Sequence, residues 1–110
     1  MSGGSGRPDE GRWREMPLVE QMANIGGEVE RTIKWTEKSN PGYSRLAFER
    51  ALDLIDMTME DSKNRPSLKE IARLREAVVD FFAGENQFAS SNESWRKYFL
   101  HFAYAARRGR

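Results

Sequence analysis

Residues 17–35 read PLVEQMANIGGEVERTIKW, and their apolar side chains recur at steps of three and four. These side chains are Leu18, Met22, Ile25, Val29 and Ile33. Because such steps place every member on one face of a helix, the stretch predicts a long amphipathic helix. Proline suits the first position of a helix, so Pro17 marks the predicted start.

Two adjacent glycines, Gly26 and Gly27, lie near the middle of this helix. Glycine inside a helix costs about 1 kcal/mol relative to alanine, so the pair requires an explanation. Either the helix breaks there, or a neighbouring element packs closely where no side chain intervenes. The apolar period continues in phase on both sides of the glycines, which favours close packing over a break.

Turn and capping residues divide the rest of the chain into three more helices. The predicted starts are the turn at residues 40–42 (where Asn40 or Ser44 can cap the helix) and the capping boxes Ser67–Glu70 and Ser90–Glu93. Residues 61–66 read as a polar loop. Gly84 and Gly109 are the predicted ends of the third and fourth helices.

The apolar residues of these segments follow a helical period, and no stretch alternates with the period of a β-strand. The wide apolar stripe of the second helix predicts contact with two or more neighbours. The fourth helix has an aromatic stripe, which predicts that its inner face is the centre of the core. Together the four segments predict an all-α domain, a four-helix bundle that is either up-and-down or built of two packed helical hairpins.

The first 16 residues differ from the rest because they are polar and open with Met1-Ser-Gly-Gly-Ser-Gly. Glycine and serine favour an unfolded chain, and this segment has little apolar surface to bury. We therefore expect residues 1–16 to be a disordered leader, either native or left over from cloning. Residues 17–108 are expected to form the single helical domain.

The composition excludes several functional classes. The chain has no cysteine and one histidine, which removes disulfides, thiolate chemistry and a multi-histidine metal site. It has no glycine-rich phosphate loop and no nucleophile elbow. The sequence therefore assigns no catalytic, cofactor-binding or metal-binding residue. It favours a non-enzymatic, cytoplasmic protein with no membrane partner.

Four carboxylates repeat along the second helix at steps of four, three and four. They are Glu49, Asp53, Asp56 and Glu60. A solvated face explains such a stripe most simply, and a docking strip for a basic partner or a site for a hard cation are the alternatives. Di-metal bundles add Glu-x-x-His pairs, but the residue three before His101 is Tyr98. We keep the four carboxylates as candidate interaction residues.

The end of the chain is basic, because residues 96–110 hold five basic residues and no acidic one. Cations gather near a helix C-terminus because the helix dipole favours them there. The same cations can also contact phosphate or an acidic partner. Tyr104 lies off the aromatic stripe and is predicted to be a surface contact. Tyr104, Arg107 and Arg108 are therefore the second set of candidate interaction residues.

Arg96 and His101 match the loose arginine-to-histidine spacing of the HEPN ribonucleases, which are also small helical bundles. The resemblance implies a histidine acting as acid or base and an arginine holding phosphate. Lys97 stands where that family often has a residue such as asparagine. A spacing of five puts the two side chains about 140° apart on a regular helix, so they converge only on an irregular helix or with a second chain. A HEPN-like RNA-binding or RNA-cleaving dimer is the alternative function.

Three segments together resemble short, all-helical prokaryotic proteins whose function is not known. The segments are residues 24–35 (NIGGEVERTIKW), 43–56 (YSRLAFERALDLID) and 98–107 (YFLHFAYAAR). The resemblance covers roughly residues 22–108; it implies the helical fold and no functional residue. The leading functional prediction is a protein–protein interaction or self-assembly module. Its partner is another protein or a second copy of the chain, as in a homodimer, and nucleic acid is less favoured.

Overall fold

The computed structural model describes residues 9–108, and over that range every regular element is a helix. The α-helices are α1 (Glu10–Glu15), α2 (Leu18–Glu37), α3 (Pro41–Glu60), α4 (Leu68–Ala83) and α5 (Asn92–Arg108), with a 3-10 helix at Ser62–Ser67. The predicted all-α class is confirmed. The predicted end of the last helix at Gly109 lies outside the described residues.

Helix α2 packs along both α3 and α5, and α4 packs against α3. Helices α4 and α5 meet where the ring of Phe81 lies 6.3 Å from the ring of Trp95. Helix α3 contacts α1, α2 and α4, as its wide apolar stripe predicts. The four long helices thus occupy the predicted segments of the chain. A fifth helix is also present, and a four-helix bundle as such is not confirmed.

The most deeply buried part of the core is built by side chains of α2, α3 and α4. Its most deeply buried large side chains are Ile25, Ile33, Ile55, Ile71 and Val78. Helix α5 adds Trp95 and Phe99, while Tyr98 and Phe102 are half-buried. The prediction that the aromatic face of α5 is the centre of the core is therefore wrong. Because α5 packs chiefly on α2, its aromatic side chains form one side of the core and not its centre.

The structure explains one of the two glycines inside α2. The helix runs unbroken past both, and a Cβ atom built on Gly26 would lie 2.7 Å from the Cβ of Phe99. The predicted close packing is confirmed at Gly26, because any side chain there would push α5 away. Gly27 is different: it is exposed, and a Cβ atom built on it would meet nothing within 4 Å.

The domain begins earlier than the sequence predicts. Helix α1 lies inside the predicted leader, and its Trp13 is only 3% exposed. The indole N–H of Trp13 donates a hydrogen bond of 3.1 Å to Thr58 Oγ1 on α3. Residues 9–16 therefore belong to the fold, and the expectation of a leader ending at residue 16 is wrong for them. Residues 1–8 lie outside the described residues.

A cluster of buried polar side chains fastens α1 to the rest of the domain. The side-chain amide of Gln21 donates to the backbone carbonyl of Trp13 (2.9 Å) and to Asp61 Oδ2 (3.0 Å). The amide of Asn64 donates to Gln21 Oε1 (2.8 Å) and to the carbonyl of Thr58 (3.0 Å). The predicted polar loop at residues 61–66 is therefore wrong, because this segment is largely a 3-10 helix with Asp61 and Asn64 buried.

The capping predictions succeed at one helix and fail at two. The side chain of Asn40 caps α3 as predicted, accepting a backbone N–H at 3.0 Å. Ser67 makes no side-chain capping bond at α4, because it is the last residue of the preceding 3-10 helix. At α5 the box is shifted by one residue. Ser91 and Ser94 bond each other's backbone N–H groups at 3.0 and 2.8 Å.

The buried cluster makes stability depend on acidity through Asp61. Burial on its own raises the pKa of this carboxyl, but hydrogen bonds from Lys63 and Gln21 outweigh it and hold the pKa below its ordinary value. As the pH falls, Asp61 is therefore protonated at a higher pH in the unfolded chain than in the folded protein. The carboxylate stabilises the fold above the ordinary aspartate pKa of about 4, and this stabilisation is lost as the pH falls through the lowered value.

We expect Asp61→Asn to be less stable than the wild type at neutral pH, and to lose less stability on acidification from about pH 5 to about pH 2. Thermal unfolding across that range measures both effects. Asp53→Asn, which changes a carboxylate outside the buried cluster, is the matched control and should keep the wild-type slope. Identical acid slopes for Asp61→Asn and the wild type would contradict the role given to this carboxylate.

Candidate interaction surface

Two large apolar side chains lie one turn apart on the side of α5 that faces away from the core. Leu100 is 66% exposed and Tyr104 is 62% exposed. Residues four apart lie on the same face of a helix, so the two form one apolar strip. Tyr104 is exposed as predicted. We call the α5 outer face the surface formed by Lys97, Leu100, Tyr104, Arg107 and Arg108.

The α5 outer face carries uncompensated positive charge. Lys97, Arg107 and Arg108 are exposed, and none of them has an ion-pair partner among residues 9–108. The last acidic residue before them on the helix is Glu93. Part of this charge compensates the helix dipole, because Arg107 and Arg108 lie in the last turn. Lys97 lies in the second turn, so the dipole does not account for its position.

An open groove of about 500 Å³ runs between α2 and α5 beside this face. Small residues on both helices, Ala23, Gly27 and Ala103, leave it open, and Leu100 lies at its side. Trp95 also lines the groove and is 6% exposed, and its indole N–H has no hydrogen-bond partner. A buried donor without a hydrogen-bond partner destabilises the folded state, and the described structure supplies no acceptor for this one.

Glu49 and Asp56, two of the four carboxylates in the predicted acidic stripe on α3, form ion pairs. Asp56 accepts hydrogen bonds from Arg75 on α4, the shorter at 2.7 Å, and Glu49 lies 3.4 Å from Arg45 Nε. Asp53 lines a cleft together with Arg50. Basic neighbours therefore reduce the negative charge that the stripe presents, and its docking role stays a prediction. Among the described residues no cluster of acidic and histidine side chains is placed to hold a metal ion.

Arg96 and His101 have separate environments on α5. Arg96 binds Glu30 of α2 through hydrogen bonds of 2.9 to 3.2 Å, and these bonds raise its pKa above the ordinary value. His101 is exposed, with its ring 5.7 Å from that of Phe102. Because α5 is regular throughout, the two side chains leave it about 140° apart. Within one chain they do not form a shared site, and the ribonuclease alternative stays a prediction that requires a second chain.

A second exposed apolar patch lies at the start of α3. Tyr43 is 54% exposed and Leu46 is 50% exposed. The ring of Tyr43 packs edge-on against Trp35 at 4.8 Å, and Lys38 Nζ lies 5.3 Å from the centre of the Trp35 ring. Trp35 and Lys38 of this patch therefore contact other residues of the patch. The cations of the α5 outer face have no such partner among the described residues.

A cleft of about 770 Å³ opens between the ends of α2, α3, α4 and α5. Phe48, Phe81 and Phe82 form its apolar wall. Two of its hydroxyls bond each other, since Thr36 Oγ1 lies 2.7 Å from Ser44 Oγ, and Thr36 Oγ1 also donates to the backbone of α2. The cleft therefore offers mainly phenyl rings, and its polar groups indicate no particular ligand.

These features define a class of protein: a small all-α domain with one basic, apolar helix face beside an open groove. A scan of protein-family models, a search of curated proteins and a search of solved structures each found no match. None of the described helices is long and apolar enough to cross a membrane. The resemblance to short prokaryotic helical proteins stays a prediction.

The sequence identifies part of this surface and misses the rest. Tyr104, Arg107 and Arg108 were recognisable because they lie off the aromatic stripe or carry charge. Leu100 was missed. It also lies off the aromatic stripe, so its position in the helical period could have identified it as exposed. The groove could not be found from one helix alone, because it depends on how α2 and α5 pack.

Proposed function

We propose that this chain is a non-enzymatic protein–protein interaction module. In it, helices α2–α5 act as a four-helix bundle, either up-and-down or built of two packed hairpins, and the α5 outer face binds another protein. The observation that carries the proposal is the exposure of Leu100 and Tyr104 one turn apart, beside an open groove. Exposed apolar strips bordered by charge are typical of binding surfaces.

Electrostatics favours a different protein over a second copy. In a two-fold dimer the same surface meets itself, so Lys97, Arg107 and Arg108 of one copy would face the same three cations of the other, with Glu93 as the single acid on α5 to oppose them. Like charges brought together without partners oppose association. The surface is therefore better suited to a partner of opposite charge than to self-assembly.

A protein also suits this surface better than a nucleic acid. Phosphate recognition depends on several cations spread along the backbone, and bases stack on exposed aromatic rings. The α5 outer face offers three cations and one exposed ring, whereas Leu100 and the groove offer apolar contact. Apolar contact of this kind is what a protein partner uses.

Site-specific photo-crosslinking in the cells that make the protein tests the proposal. A photoreactive phenylalanine in place of Tyr104 is expected to give a discrete adduct with one other protein. The matched position is Leu68 on α4, which is also exposed, and the same group there is expected to give none. Adding Leu100→Glu to the Tyr104 probe should abolish the adduct. Equal labelling from both positions, or none from either, would contradict the proposed function.

A further inference from the structure

We propose that the partner segment is an acidic amphipathic helix that lies in the groove between α2 and α5, with its backbone over Gly27. The inference rests on the proposed function and specifies the chemistry of the partner. Three observations support it: a glycine that nothing in the described chain explains, a groove open at that glycine, and unpaired cations beside it.

Gly27 is the first observation. A glycine in the interior of a helix is destabilising by roughly 0.5–1 kcal/mol relative to alanine. Gly26 has a reason to be glycine, because Phe99 occupies the space that its Cβ would take. Gly27 has no such reason among residues 9–108, since a Cβ there would meet nothing within 4 Å. A partner that passes over this residue would supply the missing contact.

The surroundings of Gly27 fit the backbone of a helix. Ala23 lies one turn before it on α2, and Ala103 lies across the groove on α5. Side chains this small let a second backbone come close, which is how glycine serves at other close contacts. Leu100 lies at the groove and is exposed, so it would contact the apolar face of the incoming helix. Recognition would then follow the helix-in-groove mode.

The charges specify an acidic helix. Lys97, Arg107 and Arg108 have no acidic partner among the described residues. The acid that borders the groove, Glu30, is already bound by Arg96 at 2.9 Å. Of the three cations, Lys97 lines the groove, so a segment lying there meets an unpaired positive charge, with Arg107 and Arg108 further along the same helix.

Binding of designed peptides to the purified, full-length protein tests the inference. The probe is a fluorescently labelled helical peptide of about 18 residues, five turns, with leucines at helical spacing and glutamates elsewhere. Its counterpart has lysines in place of the glutamates. We expect the glutamate peptide to bind about tenfold more tightly or better, and to weaken as salt is added. Equal binding of the two peptides, or no binding of the glutamate peptide, would overturn the inference.

The position of the helix is tested by two glycine substitutions. Gly27→Leu fills the groove and is expected to weaken binding of the glutamate peptide about tenfold or more. Gly42→Leu is the matched control: Gly42 is exposed near the start of α3, and a Cβ there would meet only Asn40 Oδ1 at 3.7 Å. It should bind as the wild type does. Thermal unfolding confirms that both variants are folded.

The outcomes separate this inference from the proposed function. If Gly27→Leu keeps full affinity while the crosslink from position 104 persists, the partner binds α5 without entering the groove, and the inference alone fails. If the crosslink is not specific to position 104, the proposed function fails. If an RNA oligonucleotide of the same net charge displaces the glutamate peptide and binds more tightly, the surface recognises nucleic acid and the acidic-helix inference is overturned.

Discussion

Replacing Trp13 with alanine is expected to lower the free energy of unfolding by about 3–5 kcal/mol, the range for truncating a buried large aromatic side chain. Trp13 is 3% exposed and belongs to the same cluster as the core of α2 and α3. The variant also leaves the hydroxyl of Thr58 without the indole donor, 3.1 Å away in the wild type. Domains of this size have a total stability of about 5–15 kcal/mol, so the loss is a large fraction of it.

Denaturant unfolding of Trp13→Ala measures the effect, with Arg12→Ala as its control. Arg12 lies on the same short helix but is exposed, and its replacement should change stability by no more than about 0.5 kcal/mol. Should the two variants prove equally stable, α1 would not be docked on α3. The domain would then begin near residue 17, as the composition of the leader suggests.

Gly26→Leu is expected to destabilise the domain by about 3 kcal/mol or more, because it overpacks the contact between α2 and α5. The atoms nearest to the new Cβ would be Phe99 Cβ and Cγ, both at 2.7 Å. Phe99 Cβ is bonded directly to the backbone of α5, so no rotation of the side chain relieves this contact unless α5 moves. The gain in helix propensity on replacing glycine, about 1 kcal/mol, is too small to compensate.

The neighbouring variant Gly27→Leu provides the comparison for Gly26→Leu. It makes the same chemical change one residue further on, where nothing lies within 4 Å. Its stability is therefore expected to equal the wild type or to exceed it by up to about 1 kcal/mol. Urea unfolding of the two variants tests the packing of α5 on α2, and similar effects on stability would show that this packing is not as described.

The elements predicted well are those whose signal lies within one helix. The apolar steps from Leu18 to Ile33 define a face, and the structure buries that face. Continuity of the same period across Gly26 was enough to predict close packing there. Such patterns need no knowledge of the partner element, because a helix repeats its exposed and buried sides along its own length.

The elements predicted poorly are those fixed by contacts between distant residues. Trp13 is a single apolar residue in a polar stretch, and no period reveals that Thr58, 45 positions away, accepts its hydrogen bond. Asp61 and Asn64 look like loop residues until Gln21, about 40 positions earlier, is placed beside them. A polar side chain that is buried with full hydrogen bonding cannot be told from a solvated one by composition alone.

The candidate interaction residues show the same division. The spacing of Glu49, Asp53, Asp56 and Glu60 predicts a shared face, but the arginine that neutralises Asp56 comes from α4. Tyr104 could be placed on the outside of α5 from the helical period alone. That the same face borders a groove over Gly27 follows only from the packing of α2 against α5.

Whether the α5 outer face binds a different protein is decided by the mass of the adduct that the crosslink from position 104 gives. We expect one adduct whose mass is that of this chain plus another protein, and we expect Leu100→Glu to abolish it. An adduct of twice the mass of this chain would show that a second copy covers the face. That result would contradict both the charge argument and the assignment of the partner.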